Sequence, residues 1–471
     1  MSDLTKFSAL LTDWRSAKGP LYLRLSGAFQ EAIHAGRLAP TEQLPAERAL
    51  ANLLSLSRST VVAAYDELAA GGWVTRKRGS GTHVSAQAPR ASAVLTLRTP
   101  VQRPLAPPDE LDFTIAVPLL DDIQRQQMRE AALDAYRESV YHPLGLPELR
   151  ARLAQEYTRG GLPTAPEQVI VTSGAQQAIS LMAGAFLRRG DAVLLETPTY
   201  FGAIDVFRAA GAHLIGVPVK ADGVPLQEFR TLTLEHAPRL AFLTPTYQNP
   251  TGAVMPARTR RELAEFIAQQ QLPTIEDDTL CELDFGPLPP PRLSTFAPQA
   301  PIVNVGSMSK LFWAGLRVGW LRVPTSMRPL LEQAKTLADF GGSLPAQHIT
   351  LKLLQDLPAL RERRRQQVQP ARDLLAGLLR QHLPEWQFQV PAGGQYLWVE
   401  LPTRQASSFT HHAARYGLRL FPGASMGLGD LPDSFLRLPF TLAPAQLPEA
   451  VRRLSAAWHD FQTRQGQERL A

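Results

Sequence analysis

The chain has a single cysteine, Cys281, so no internal disulfide framework can staple it. Nothing in it approaches the length of an apolar membrane-spanning run, so a membrane partner is not expected. Its opening, MSDLTKFSALLTDWRSAKGP, carries acids and lacks both a basic n-region and an apolar h-region, so a secretory signal is not expected either. These absences together fit a cytoplasmic location. The stretch 86–108 holds Arg90, Arg98 and Arg103 and no acid. What is present is a chain of 471 residues, 44% hydrophobic and 20% charged. That is the balance of a globular protein with two or three domains and a core large enough for a pocket. The net charge is +6, and all of it lies in the first 108 residues, because the remainder balances 36 basic against 36 acidic residues. An anionic partner for the N-terminal part is one reading of that asymmetry, and a solvated surface is the other.

The pattern of the N-terminal part bears on that choice. PLYLRLSGAFQEAIHAGRL has apolar residues at helical spacing (Leu21, Leu25, Phe29, Ile33) and ends near Gly36. PAERALANLL follows as a second helix. A third begins at SRSTVVAAYDELAAGG, where Ser57 can cap it and Val61, Ala64, Tyr65 and Leu68 make a buried face. GWVTRKRGSGTHV then alternates around a glycine-rich tip, the pattern of a two-stranded wing.

The LPAER start, the SRSTV turn and the GSGTHV wing resemble the winged helix-turn-helix of the GntR family of bacterial transcription regulators, expected over 15–84. The resemblance implies a double-stranded DNA operator as partner. Arg48, Ser57, Arg58 and Thr60 would meet phosphates and base edges, and Arg78 and Gly79 at the wing would reach the minor groove. The physics agrees: the N-terminus of a recognition helix offers free amides to the major groove, and arginine can read guanine through two hydrogen bonds. One departure is APTEQLP, where the family has proline and glycine before LP and this chain has Glu42.

Residues 85–109 are rich in proline and small residues with no hydrophobic period, and are expected to be a linker. Beyond it, apolar strands alternate with helices: QVIVT, DAVLLE, RLAFLTP, LPTIEDD and PIVNVGS each mark a strand. This predicts an α/β fold with a mostly parallel sheet covered by helices on both faces, in which ligands sit at the carboxyl ends of the strands.

Those ends carry a consistent set. Ser173, Gly174, Ala175 and Gln176 open a helix, where backbone amides and the dipole favour a phosphate. Tyr200 follows the next strand and offers a face to a flat ring. Asn249 supplies a hydrogen-bond donor, Asp277 an acid able to keep a pyridine nitrogen protonated, and Ser307, Ser309, Lys310 and Arg317 close the series. A lysine that condenses with an aldehyde, with an acid on that aldehyde's ring, is pyridoxal phosphate chemistry. No metal is expected.

Residues 110–465 resemble the fold type I pyridoxal phosphate aminotransferases, in the branch of the 2-aminoadipate and kynurenine aminotransferases, with a smaller α+β C-terminal subdomain. The resemblance implies Lys310 as the Schiff-base lysine, Asp277 on the pyridine nitrogen, Asn249 on the ring 3-hydroxyl and Tyr200 stacked on the ring. It implies Ser173, Ala175, Gln176, Ser307, Ser309 and Arg317 around the phosphate, Tyr141 reaching the cofactor of a neighbouring subunit in a homodimer, and Arg437 on a ligand carboxylate. Two departures stand out. Thr279 and Leu280 occupy positions where the family places a tyrosine, and Ala314 replaces a proline. A winged helix linked to such a domain is the arrangement of the MocR subfamily of GntR regulators. This implies a transcription regulator that senses pyridoxal phosphate, an amino acid or an amine. A working aminotransferase with an attached DNA-binding domain is the alternative.

Overall fold

The computed structural model describes residues 7, 20–34, 38–39, 41–54, 56–77, 81–85, 109–118, 120, 122–133, 140–286, 288–429 and 431–468. The chain divides into two compact units, Met1–Thr96 and Leu97–Ala471. The division falls within 85–109, of which only Ser85 and Asp109 belong to the described residues.

In the first unit, helices Leu21–His34, Glu47–Leu54 and Arg58–Ala70 are followed by the antiparallel ribbon β1 (Val74–Lys77) and β2 (Gly81–Val84). One core joins Leu25, Phe29, Leu50, Val61, Tyr65, Leu68, Val74 and Val84. Val61, Ala64, Tyr65 and Leu68 are buried as the periodicity predicts. The stripe of the first helix differs at its start, because Leu21 is 45% exposed. The inward residues are Leu25, Phe29 and Ala32, and Leu21 lies one turn before the core begins. Ser57 accepts the Thr60 amide at 3.1 Å, a cap worth about 1 kcal/mol. Glu42 has a local purpose: its carboxylate accepts the Ala39 amide at 2.8 Å and helps close the turn between the two residues.

The second unit begins at β3 (Leu111–Asp112). It then builds a seven-stranded sheet from β4 (Val169–Thr172), β5 (Ala192–Thr197), β6 (His213–Pro218), β7 (Leu240–Leu243), β8 (Thr274–Asp277), β9 (Ile302–Ser307) and β10 (Gly319–Arg322). The spatial order is β4-β10-β9-β8-β7-β5-β6. Every pairing is parallel except that β10 runs antiparallel to both β4 and β9. Strand residues alternate between two cores: Val193, Leu195, Leu240 and Phe242 face one helical layer, and Leu194, Ala241 and Leu243 the other. Both faces are therefore covered, which requires the near-continuous apolar strands seen in the sequence. β6 and β10 escaped the sequence reading. Each contains a glycine, Gly216 or Gly319, which weakens a strand signal.

A smaller antiparallel sheet, in order β11-β12-β15-β14, is made by β11 (Gln387–Phe388), β12 (Tyr396–Glu400), β14 (Phe421–Pro422) and β15 (Phe435–Pro439). β13 (Leu418–Arg419) pairs in parallel with β3. Helices Leu357–His382 and Leu447–Glu468 supply Leu375, Leu379, Leu454 and Trp458 to the core beneath. No helix among the described residues is long and apolar enough to cross a membrane.

Candidate cofactor site and DNA interface

The carboxyl ends of the parallel strands converge on one place. After β4 the chain turns through Ser173 and Gly174 into helix Ala175–Phe186, whose N-cap, Gly174, makes no side-chain cap. The first amides of that helix are thus left for a ligand. The antiparallel β10 makes the turn possible. Its Gly319 lies opposite both Thr172 and Ser307, and a β-carbon there would approach Gly174 Cα to 2.7 Å. Two residues earlier Arg317 takes a left-handed φ of 53° and donates to the Ser173 carbonyl at 2.8 Å. Its guanidinium covers Gly174, where a β-carbon would lie 2.6 Å from Nη2. Only glycine fits between these groups.

At the end of β9, Ser307 caps the short helix Met308–Leu311 by accepting the Ser309 amide at 3.1 Å. The buried Ser309 hydroxyl has no hydrogen-bond partner among the described residues. Lys310 follows, half-buried, its Nζ donating to the Ala116 carbonyl at 3.0 Å.

Asp277, the last residue of β8, is 4% exposed and accepts the Thr279 amide at 2.9 Å. Burial pushes its carboxyl up, and the Thr279 hydrogen bonds and the positive charge of Lys310 partly offset this. A cation against it would favour the ionised form. Leu280, at the second of the two positions where the resemblance leads one to expect a tyrosine, is buried in the hydrophobic core.

Asn249 is buried, and its side-chain oxygen has no partner among the described residues. Its loop is held by Gln248, which donates to Glu196 at 3.1 Å and to the Pro198 carbonyl at 2.7 Å, and accepts from Thr251. Burial pushes the Glu196 carboxyl up to about 7, with bonds from Gln248 and Thr244 opposing and Asp277 adding to the rise. Neither Glu196 nor Gln248 was singled out from sequence. A carboxylate inside an apolar strand, DAVLLE, was the available signal.

Tyr200 donates to Gln176 Oε1 at 3.0 Å. Burial raises its hydroxyl, and Tyr396, Asp277, Arg437 and Arg317 all act on it electrostatically. Asp277, Arg317 and Arg437 are therefore all within electrostatic reach of this one aromatic.

Arg437 on β15 is 2% exposed and packs 4.6 Å from the Tyr396 ring centroid, 4.7 Å from Phe421 and 5.4 Å from Phe201. It donates to the Thr114 carbonyl at 2.6 Å, while its Nε has no partner among the described residues. Burial lowers its affinity for its proton. A buried guanidinium with a free donor is suited to a carboxylate.

Tyr141 stands apart from the set, 85% exposed. Its neighbour His142 lies against Gly341, where a β-carbon would come 2.7 Å from the His142 carbonyl. Val140, at 60%, and Phe340, at 63%, are exposed as well.

In the first unit Arg48 and Arg58 are exposed, as is Ser57, and Thr60 is half-buried. The Arg58 guanidinium lies 3.3 Å from Glu47, which also faces Arg76 at 3.5 Å. Arg76 in turn pairs with Asp66 at 2.6 Å. Glu47 and Arg76 were not anticipated. Arg78 and Gly79 lie outside the described residues.

These residues fit pyridoxal 5′-phosphate. An uncapped helix start walled by Arg317, an acid near Lys310, and buried unpartnered polar atoms on Asn249 and Ser309 match a small ring carrying a phosphate, a hydroxyl and an aldehyde. When bound, the group supplies an electron sink at the carbon next to a ligand's amine.

Residues 109–454 match the family described as aminotransferase class I and II, and residues 21–84 match the bacterial regulatory proteins of the gntR family. The chain is 32% identical to 2-aminoadipate transaminase of Thermus thermophilus, over 78% of this chain and 94% of that protein. It is 30% identical to the probable rhizopine catabolism regulatory protein MocR of Rhizobium meliloti, over 79% and 80% of the two chains. The crystal structure of LysN, the alpha-aminoadipate aminotransferase of Thermus thermophilus, superposes with a TM-score of 0.70 at 30% identity, covering 76% of this chain and 94% of that one. The fold and site define a fold type I, pyridoxal phosphate-dependent protein. The chain belongs to the aminotransferase class I and II family, in the branch that carries a GntR winged helix, the MocR-type transcription regulators.

Proposed function

We propose that this regulator reads the occupancy of its aminotransferase-like site and passes it to the DNA-binding unit, with pyridoxal phosphate, an amino acid or an amine as the effector. The carrying observation is the buried Arg437 with its unpartnered Nε, in electrostatic reach of the same tyrosine as Arg317 and Asp277. A cation buried without a carboxylate is costly, and a ligand carboxylate would relieve that cost.

In this reading Lys310 carries the cofactor and Asp277 holds the ring nitrogen. Asn249 bonds the ring hydroxyl and Tyr200 lies on the ring. Ser173, Ala175, Gln176, Ser307, Ser309 and Arg317 take the phosphate. Leu280 leaves the ring hydroxyl without the tyrosine of the related enzymes, so proton transfer should be poorly tuned while ligand exchange at Lys310 continues. Turnover is accordingly secondary to sensing. Arg48, Ser57, Arg58, Thr60, Arg78 and Gly79 contact the operator. The winged helix spans 15–84, residues 85–109 join it to the sensor domain 110–465, and the protein acts in the cytoplasm beside DNA. A homodimer is supported by the exposed apolar and aromatic side chains of Val140, Tyr141 and Phe340, of which Tyr141 would complete the partner's phosphate site.

The test is one preparation assayed twice. Transamination with common amino donors and 2-oxoglutarate is measured beside binding to a DNA element that the protein has selected from a random pool. Slow or absent turnover, with DNA affinity changed by cofactor or amine, is expected. A coupling of about 1 to 3 kcal/mol suffices for a switch. Fast turnover with no ligand-dependent change in DNA binding would instead favour the aminotransferase.

A further inference from the structure

Behind the phosphate turn lies a polar relay that none of the assigned roles uses. Gln177, two residues beyond the helix start, accepts the Ser173 amide on Oε1 at 2.8 Å and donates through Nε2 to Asp339 at 2.7 Å. Asp339 closes helix Arg328–Asp339 and also accepts the Gly341 amide at 3.0 Å and the ammonium of Lys335. Lys335 is wholly buried. Although burial pushes the Asp339 carboxyl up, the bonds from Lys335, Gln177 and Gly341 outweigh it and hold the group below its usual range.

A fully buried ammonium is expensive to keep, and replacing such an ion pair with apolar residues is often neutral or stabilising. The pair is therefore weakly explained by stability alone. Its outlet is a backbone amide in the turn whose next residues wall the phosphate. The same carboxylate, through the Gly341 amide, also fixes the residue that follows the exposed Phe340.

We infer that Asp339 and Gln177 are positioning residues that hold the Ser173–Gln176 turn in its phosphate-binding shape, with Lys335 keeping Asp339 ionised; this rests on the proposed role of that turn as the phosphate cradle. The relay touches no part of the ring site. Losing it should cost affinity only for a ligand that carries a phosphate.

Equilibrium binding of pyridoxal 5′-phosphate and of pyridoxal to the full chain, read by tryptophan fluorescence, separates the possibilities. Wild-type protein should prefer the phosphorylated form strongly. Gln177→Leu and Asp339→Asn should each weaken pyridoxal phosphate by about tenfold, the loss of one hydrogen bond to a charged group, and leave pyridoxal unchanged. Because Asp339→Asn strands a buried charge and can unfold the chain, the paired variant Lys335→Met with Asp339→Leu removes both charges together. It should melt near the wild type yet show the same selective loss. Equal loss for both ligands, or no loss in folded variants, overturns the relay while leaving the cradle intact. A wild-type protein that binds pyridoxal and its phosphate equally overturns the cradle itself, and the relay with it.

Discussion

In the winged-helix unit, the arginine expected to read DNA stands in water: the Arg58 side chain is 71% exposed and rests against a carboxylate on its own surface. In the larger unit the charged groups expected to meet the ligand are sealed inside, Asp277 at 4% and Arg437 at 2% exposure. The first arrangement suits a polyanion that arrives from outside, since Arg58 exchanges one partner for another at little desolvation cost. The second suits a small ligand that must supply what the protein has left unpaired. The units also differ in chain distance. The residues proposed for DNA, Arg48 to Gly79, fall within one short segment, whereas those proposed for the cofactor and ligand run from Tyr141 to Arg437.

The sharpest break of that comparison is Lys310→Ala. The variant should lose the visible absorption of lysine-bound pyridoxal phosphate completely, because Lys310 is the amine proposed to carry it, while still binding non-specific DNA. An unchanged spectrum would show the buried site to be misread.

Arg437→Ala tests the price of burial itself. Truncating one partner of a buried charge pair costs about 2 to 5 kcal/mol, so the effect of carboxylate-bearing amines on DNA affinity should fall by about two orders of magnitude in ligand concentration. Amines without a carboxylate should act as before. Equal loss for both kinds of amine would remove Arg437 from that role.

On the exposed side, Arg58→Ala should cost about 1 to 3 kcal/mol on a selected operator and much less on random DNA. A similar loss on both would mean that Arg58 meets phosphate alone.

The smallest effect is a pH slope. Glu196 is pushed up to about 7, above its unfolded value, so the folded state holds the proton more tightly. Its contribution to stability is present at low pH and is lost as pH rises toward and through 7. Urea midpoints of wild type and Glu196→Gln measured between pH 5 and 8 should therefore diverge, with the wild type losing on the order of 1 to 2 kcal/mol more. Parallel curves would show that Glu196 titrates in its ordinary range.

Much of this was legible because the signals are local. The third helix of the winged unit was readable from Ser57 and four apolar positions, since a cap and a 3.6-residue period lie within thirteen residues of chain. Five strands of the large sheet were readable because burial on both faces makes them continuously apolar. The residues after them stand out because strand ends in such sheets carry ligands. β10 was not readable, and with it went the reason for Gly319 and for the left-handed turn at Arg317. An antiparallel strand inserted between β4 and β9 is a long-range pairing that leaves little trace in GWLR. Leu21 was misplaced because periodicity gives the face of a helix and not the point at which the core starts.

By itself the sequence determined the kinds of groups available: one amine, one acid and one asparagine at successive strand ends, a basic N-terminal part, and a GntR-like turn. Those follow from residue type and spacing, which the chain carries locally. Only the tertiary structure decided which polar atoms are left without partners, that Arg317, Asp277 and Arg437 are all in electrostatic reach of Tyr200, and that Lys335 reaches the turn at Ser173 through Asp339 and Gln177. Burial and the pairing of distant carboxylates, amides and ammonium groups depend on how segments more than a hundred residues apart close on each other, and no local pattern specifies that.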